Sequence, residues 1–166
     1  GPGSRKDTEA ESSLNYEIGF RLHNQRVGLE IAGFVNDYDN LFGADTLASG
    51  GTGEGDLFNG GEVLVMGLEA SGSFDLSHTL RSSPRLPVRF AYTFTDAHFQ
   101  NTFDSQFEPW GSVATGDLLP YLPRHQFHAA LGVEKQRWRL ELQATATGEV
   151  RTTAGHGPAS PMEATD

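Results

Sequence analysis

Residues 59–76 limit what this chain can fold into, because apolar and polar side chains alternate along them for longer than in an ordinary strand. One face of this extended segment carries Glu69, Ser71, Ser73 and Asp75. The opposite face carries mainly apolar residues: Leu64, Met66, Leu68, Ala70, Phe74 and Leu76, with Gly72 among them. A strand in a soluble sheet usually has about 5–6 residues, whereas a strand that crosses a bilayer needs about 9–11. The segment therefore predicts a membrane-spanning strand with one face in lipid and one in a polar lumen.

The same alternation recurs along the chain. It is strictest in residues 14–22, where the apolar positions are Leu14, Tyr16, Ile18, Phe20 and Leu22. Further strands are predicted over residues 27–38, 88–96, 123–134 and 138–150. The short turn at 23–26 makes the first two strands an antiparallel hairpin. The sequence thus predicts an all-β chain, an antiparallel up-and-down meander of about six long strands.

The connections between these strands alternate between short and long. In a meander, alternate connections lie at the same edge of the sheet. The shorter ones (23–26, 77–87 and 135–137) therefore share one edge, and the long ones (39–58 and 97–122) share the other. Outer-membrane barrels have short periplasmic turns and long outward loops, and Trp138 begins a strand where an aromatic girdle residue would meet the headgroups. Residues 14–150 are therefore predicted to form a segment of a transmembrane β-barrel.

Composition excludes several classes of protein and of site. The formal net charge of -10 argues against a nucleic-acid partner, and the absence of cysteine excludes disulfides and zinc–thiolate sites. No run of about 18 apolar residues predicts a transmembrane helix. Residues 1–4 resemble the remnant of a cleaved expression tag, and residues 5–13 are expected to be a loop or a loose terminus. Residues 151–166 are expected to be a loop or a disordered tail.

Polar residues predicted to face the lumen are the first candidates for ligand contact: Glu17, Arg21, Glu30, Glu69, Arg89, His128 and Arg139. A water-filled or plugged lumen needs polar walls whether or not a ligand binds, so wall lining is the favoured interpretation of the set. Glu69, Arg89 and His128 are kept as candidate ligand-binding residues. Glu69 stands out because Gly67 would let either a plug inside the lumen or neighbouring backbone approach closely.

The long connection 97–122 is rich in aromatic residues: Phe99, Phe103, Phe107, Trp110 and Tyr121. An exposed aromatic loop suggests binding, but the same residues can equally pack the loop onto itself or onto its neighbours. Phe103, Phe107, Trp110 and Tyr121 are the candidates for ligand capture, with loop packing as an alternative of equal weight.

Metal and catalytic sites have little support. The acidic residues around Asp37 and Asp39 lack the 1-3-5 spacing, glycine turn and final glutamate of a calcium loop. His125 and His128 are three apart in a strand and point to opposite faces. No catalytic arrangement stands out, so neither an enzyme nor a cofactor is expected.

Six short motifs follow one another in order along nearly the whole chain, at residues 14–20, 34–41, 67–69, 90–97, 119–126 and 148–152. As an ordered set they resemble successive strands of TonB-dependent outer-membrane receptors. The Asn-Asp-Tyr-Asp-Asn at 36–40 and the Leu-Pro-Tyr-Leu-Pro at 119–123 are most similar to ferric dicitrate-type receptors.

This resemblance implies a receptor of the bacterial outer membrane that imports an iron chelate, either a siderophore or ferric dicitrate. It also implies partners: the lipid bilayer, a plug domain, further barrel strands and the energising TonB protein. Members have a barrel of about 22 strands, and small barrels start at about eight. No plug, TonB box or terminal aromatic strand is recognised in this sequence, so we expect a segment of a larger receptor.

The alternative is a soluble β-sandwich that acts as a binding module. In that fold Phe20, Leu68, Phe90 and Leu140 would be buried together in a dry core. In the favoured fold, a six-stranded sheet has two unpaired edges and an apolar face, so we expect the isolated chain to self-associate or aggregate.

Overall fold

A computed structural model describes residues 10–44, 57–80, 84–105, 107 and 109–157. The elements along the chain are β1 (Ser12–His23), β2 (Val27–Asp39), β3 (Phe42–Ala44), β4 (Leu57–Asn59), β5 (Val63–Asp75), α1 (Ser77–Leu80), β6 (Pro87–Phe99), β7 (Phe103–Asp104), β8 (Ser112–Val113), β9 (His125–Lys135) and β10 (Trp138–Thr147). The predicted tag remnant at 1–4, most of the predicted loop at 5–13 and the last part of the predicted tail lie outside the described residues. So does most of the acidic connection 39–58.

The six long strands form one antiparallel sheet in the order β1-β2-β5-β6-β9-β10, which confirms the predicted meander. The small hairpins β3–β4 and β7–β8 lie within the two long connections. Strand ends differ from prediction by a few residues. The predicted strand 59–76 begins at Val63, because residues 57–59 pair with β3 instead. β6 runs on to Phe99, three residues past its predicted end, because its last residues pair with the start of β5 and with the long connection.

The register aligns side chains of like polarity across all six strands. Directly paired residues point to the same side of a sheet, and one continuous row is Phe20, Ile31, Ala70, Tyr92, Phe127 and Ala146. We call this side the apolar face. The other side carries rows such as Arg21, Glu30, Ser71, Ala91, His128 and Thr145, and we call it the polar face.

The apolar face has no protein layer packed on it among the described residues. Phe20 is 58% exposed, Leu68 43% and Leu140 68%. These three side chains therefore do not meet in a buried core as a soluble sandwich requires. Exposed apolar side chains on so wide a patch need another apolar medium to cover them. A lipid-facing sheet has the same pattern of residues.

The helices offer no membrane span of their own. Among the described residues, no helix is long and apolar enough to cross a bilayer.

The sheet stays open at both edges. β1 pairs only with β2, and β10 pairs only with β9, so the described strands do not close into a barrel. The connections lie at the two ends of the strands, with the short ones at one end and the long ones at the other, as predicted. We call the end with turns 24–26, 76–86 and 136–137 the short-turn edge, and the opposite end the long-connection edge.

Asp75 organises the largest turn at the short-turn edge. Its carboxylate accepts hydrogen bonds from the backbone N–H groups of Ser77 and Leu86, both at 3.0 Å, and from Nε of Arg85 at 3.0 Å. The first bond caps the single helical turn α1, since aspartate before a helix satisfies its free N–H groups. The predicted short connection 77–87 is thus held by one carboxylate.

Gly67 in β5 has no space for a side chain. A Cβ at this position would lie 2.3 Å from the carbonyl oxygen of Phe94 and 2.5 Å from the ring of Phe34. Phe34 projects from β2 on the polar face and lies over Gly67. The close approach predicted at Gly67 is therefore filled by this chain's own aromatic ring and backbone.

We expect Gly67→Ala to lower the free energy of unfolding by about 1–3 kcal/mol, because the methyl group would overpack against backbone. Gly33→Ala is the matched control in the neighbouring strand, since a Cβ there has its nearest neighbour at 3.9 Å. It should be neutral or slightly stabilising. Denaturant unfolding in detergent micelles, followed by circular dichroism, measures both. Equal losses for the two variants would contradict the packing described here.

Candidate functional site

The long connection between β6 and β9 folds over the polar face at the long-connection edge. There it forms an aromatic cluster whose buried members are Val63, Phe99, Phe107, Trp110 and Val113. Tyr38, Leu41, Val65, Phe103, Leu119 and Ala154 pack around it. Val63 and Phe99 are fully buried and are a directly paired couple in β5 and β6. At the long-connection edge the polar face therefore carries apolar residues, and the long connection covers them.

Trp110 lies at the centre of this cluster. Its ring meets Phe99 at a centroid distance of 5.1 Å and Phe107 at 6.0 Å, both nearly edge to face. Such pairs are worth about 0.5–1.5 kcal/mol beyond their buried area. Gly60 lets the indole approach, because a Cβ there would lie 2.0 Å from the Trp110 ring. The two long connections are therefore in direct contact, with Trp110 of one packed against Gly60 of the other.

Backbone hydrogen bonds continue the sheet beyond the long strands. Residues 116–119 run beside the end of β6, with Phe99 N–H donating to Asp117 at 2.9 Å and Leu119 N–H donating to Ala97 at 3.0 Å. Residues 151–155 run beside that segment in turn, with Leu118 N–H donating to Gly155 at 2.7 Å. The first part of the predicted tail is therefore an ordered strap on the long connection.

Asp117 fixes this strap to the connection. Its side chain is buried, accepts the N–H of Ala114 at 2.8 Å, and lies 2.6 Å from Nδ1 of His156. Burial alone would raise the pKa of this carboxyl. The hydrogen bonds from Ala114 and His156 outweigh burial, and the pKa of Asp117 lies below its ordinary value.

The part of the polar face near the short-turn edge carries a chain of alternating charges. Asp75 pairs with Arg85, Arg85 with Glu134 at 3.7 Å, and Glu134 with Arg139 at 3.2 Å. Glu141 then accepts from Arg139 at 3.2 Å and from Arg89 at 2.6 Å. A separate pair joins Arg21 and Glu30 at 2.5 Å. The side chains of Arg85, Arg89 and Arg139 are each at least half exposed, whereas their carboxylate partners are less than a third exposed. Solvent reaches the arginine end of each pair and screens its contribution to stability.

One comparison with known proteins finds a match. The chain matches the model of the family described as TonB dependent receptor-like, β-barrel, over residues 2–161. The chain belongs to the TonB-dependent receptor-like β-barrel family. Searches of curated proteins and of solved structures found no match. The matched region begins inside the first four residues, whose assignment as a tag remnant stays a prediction.

Family membership agrees with the geometry of the sheet. TonB-dependent receptors are transporters of the Gram-negative outer membrane, not enzymes, and they work with a plug domain, TonB and a substrate. The six-stranded meander is a partial barrel of this kind, with one face suited to lipid and one to the lumen.

The predicted ligand-binding residues of this receptor segment lie in two regions, the long connection between β6 and β9 and the polar face of the sheet. Phe103, Phe107 and Trp110 lie together in the aromatic cluster, with Phe107 and Trp110 buried. Tyr121 lies apart from them, 37% exposed and with a positive φ of 60°. Its N–H donates to Arg151, which anchors the strap.

Arg89, His128 and Glu69 lie on the polar face, between the aromatic cluster and the short-turn edge. Arg89 and His128 line a depression of about 410 Å³, together with Arg21, Glu30 and Ser71. Nδ1 of His128 lies 3.2 Å from the Thr145 hydroxyl. Glu69 is exposed, and its side chain makes no ion pair or hydrogen bond with the described residues.

Sequence reasoning missed several members of the cluster, among them Val63, Val65 and Tyr38. The signal was present in Val63-Leu64-Val65-Met66, an unbroken apolar run at the start of β5. A run of this kind is typical of a strand buried on both faces. Here it marks where the connection covers the polar face.

Metal ligation has no geometric support in the described ranges. No three His, Asp or Glu side chains come together there in a way that would hold an ion.

Asp117 gives the cluster a testable dependence on pH. A carboxyl with a lowered pKa stabilises the folded state above its unfolded pKa of about 3.9, and the contribution disappears as the pH falls through the lower folded value. We expect Asp117→Asn to cost about 1.5–3 kcal/mol at pH 7, since bonds to a charged group are lost. The difference from the parent chain should shrink under acid. Unfolding followed by Trp110 fluorescence in a Trp138→Phe background measures it.

Asp104→Asn is the matched control for this variant. Asp104 lies in the same connection and bonds Ser112, but it is exposed. Its replacement should change stability by less than that of Asp117. If the Asp117 variant behaved like the Asp104 variant at every pH, the anchoring role of Asp117 would be wrong.

Proposed function

We propose that this chain forms part of the barrel wall of an outer-membrane receptor that imports an iron chelate, either a siderophore or ferric dicitrate. The observation that carries the proposal is the asymmetry of a single sheet. One face is apolar and uncovered by any other described part of the chain, and the other is polar and covered at one end by the chain's own aromatic connection. A barrel wall between lipid and a substrate pathway needs both properties.

The two faces would have different partners. The apolar face would contact the lipid bilayer, and the open edges at β1 and β10 would pair with the remaining barrel strands. The ion-paired part of the polar face would border the plug domain, which TonB acts on from the short-turn side. Family membership supports plug, TonB and substrate as partners in general.

Ligand contact is proposed for the aromatic cluster and for Tyr121, with Arg89, His128 and Glu69 as a second group deeper in the lumen. The exposures favour different roles within the first group. Phe107 and Trp110 are buried and would hold the connection in shape. Tyr121 is 37% exposed, and Phe103 is half-buried with its ring against Phe99 and Trp110, so each keeps some surface that a ligand could reach. Aromatic side chains would contact the carbon skeleton of an organic chelator, while the chelator's own carbonyl and carboxylate groups bind the metal.

Uptake of radioactive iron by iron-limited cells tests this function in the full-length receptor that carries the chain. We expect transport of one chelate to depend on that receptor. Tyr121→Ala with Phe103→Ala should weaken chelate binding about tenfold, because each aromatic contact is worth about 0.5–1.5 kcal/mol. Ile18→Ala on the apolar face is the control, since Ile18 is 81% exposed, and receptor abundance in the outer membrane is measured for each variant.

Citrate and siderophores of different chemistry are offered separately as the iron carrier. A receptor deletion that leaves the uptake of every iron chelate unchanged contradicts the proposed function. Normal affinity of the double aromatic variant for a dependent chelate contradicts only the assignment of Tyr121 and Phe103.

A further inference from the structure

Charge is distributed unevenly between the two ends of the sheet. The short connections 24–26, 76–86 and 136–137 contain Arg26, Arg81, Arg85 and Arg137 and no acidic residue. The strand ends beside them add Lys135 and Asp75. The long connection 40–62 contains only acidic charges: Asp45, Glu54, Asp56 and Glu62. In a chain of net charge -10, the short-turn edge is therefore a local positive zone.

The turn between β9 and β10 concentrates this positive charge beside an aromatic residue. Lys135 is directly paired with Trp138, so both side chains leave the sheet on the apolar face. Arg137 lies in the turn between them. All three are exposed, and Trp138 is 53% accessible.

The basic residues around this turn differ in their partners. Arg85 and Arg139 both pair with Glu134, at 3.7 and 3.2 Å, so the one carboxylate of the turn is already neutralised. Lys135 and Arg137 make no ion pair with the described residues. A groove of about 570 Å³ runs between these side chains, lined by Arg85, Glu134, Lys135, Arg137, Trp138 and Arg139.

The place of this groove indicates what it binds. It lies at the rim of the sheet: Glu134 and Arg139 line it from the polar face, and Lys135 and Trp138 line it from the apolar face. Leu140 and Leu142 follow Trp138 along the apolar face of β10 and are 68% and 74% exposed. An acyl chain along those leucines would bring its headgroup to Lys135 and Arg137. Indole rings prefer this interfacial level, and basic side chains there attract anionic headgroups.

We propose that the groove at the β9–β10 turn is a binding site for an anionic phospholipid of the periplasmic leaflet. Lys135 and Arg137 bind the headgroup phosphate, Trp138 packs against the glycerol region, and Leu140 and Leu142 contact the acyl chain. The proposal rests on the membrane insertion that the proposed function requires. It assigns to this receptor segment a specific lipid contact at one turn.

Trp138 fluorescence tests the site, since the chain has only two tryptophans and Trp110→Phe leaves Trp138 alone. The chain is reconstituted in phosphatidylcholine vesicles in which one lipid in five carries a nitroxide near the headgroup. The labelled lipid is either phosphatidylglycerol or phosphatidylcholine. A basic residue near an anionic membrane favours the acidic lipid by about fivefold. We therefore expect labelled phosphatidylglycerol to quench Trp138 more strongly than labelled phosphatidylcholine.

Lys135→Gln with Arg137→Gln should abolish this preference, and Lys135→Arg with Arg137→Lys should retain it. Arg5→Gln with Lys6→Gln makes the same change in net charge at residues outside the proposed site, and should also retain it. About 1 M NaCl should weaken it, because the screening length falls to about 3 Å. Equal quenching by the two labelled lipids in the parent chain overturns the proposal.

Inorganic phosphate, added at constant ionic strength, distinguishes a lipid site from a site for free phosphate. Loss of the phosphatidylglycerol preference on adding it would mean that the groove takes free phosphate, which contradicts a lipid occupant. Native mass spectrometry of the chain with Trp110 intact gives a second measurement, in case Trp110→Phe disturbs the fold. Retained phosphatidylglycerol should be lost from the Lys135/Arg137 glutamine variant. If neither labelled lipid quenches Trp138, membrane insertion itself is wrong; if both quench equally, only the specific site is wrong.

Discussion

The register of the six-stranded ladder is the constraint on which every other feature depends. Side chains alternate with a period of two, so a slip of one residue between β5 and β6 would move Glu69 and its row to the lipid side and Leu68 into the lumen. The register is pinned at both ends of the strands. At one end Asp75 closes the turn to β6, and at the other Val63 and Phe99 meet under Trp110.

Much of this fold could be predicted from the sequence, because a half-buried strand shows its period directly. Apolar and polar residues alternate strictly from Leu14 to Leu22, and the short turns make consecutive strands antiparallel neighbours. What could not be predicted was contact between segments far apart in sequence. Phe107 and Trp110 were equally compatible with ligand capture and with packing, and nothing local places Gly60 against Trp110 or His156 against Asp117. Those contacts depend on which connections share an edge and how each one turns.

The two ends of the polar face are built on different physics. At the long-connection edge, fully buried Val63 and Phe99 gain stability from apolar burial and close packing. At the short-turn edge, half-exposed arginines form ion pairs that water and salt screen. Substitutions in the cluster should therefore alter stability, whereas those in the charge chain should alter mainly the electrostatic character of the lumen wall.

That electrostatic character bears on how an iron chelate would be recognised. In the chain from Asp75 to Arg89 each arginine is matched by a carboxylate, and Glu69 adds a further negative charge nearby. A neutral to negative wall does not draw an anionic chelate by its field. The contribution of this segment to recognition is therefore better assigned to ring surface at Phe103 and Tyr121 than to Arg89. Lys135 and Arg137 make no ion pair with the described residues. They lie at the short-turn end of the sheet, where lipid headgroups and not substrate would meet them.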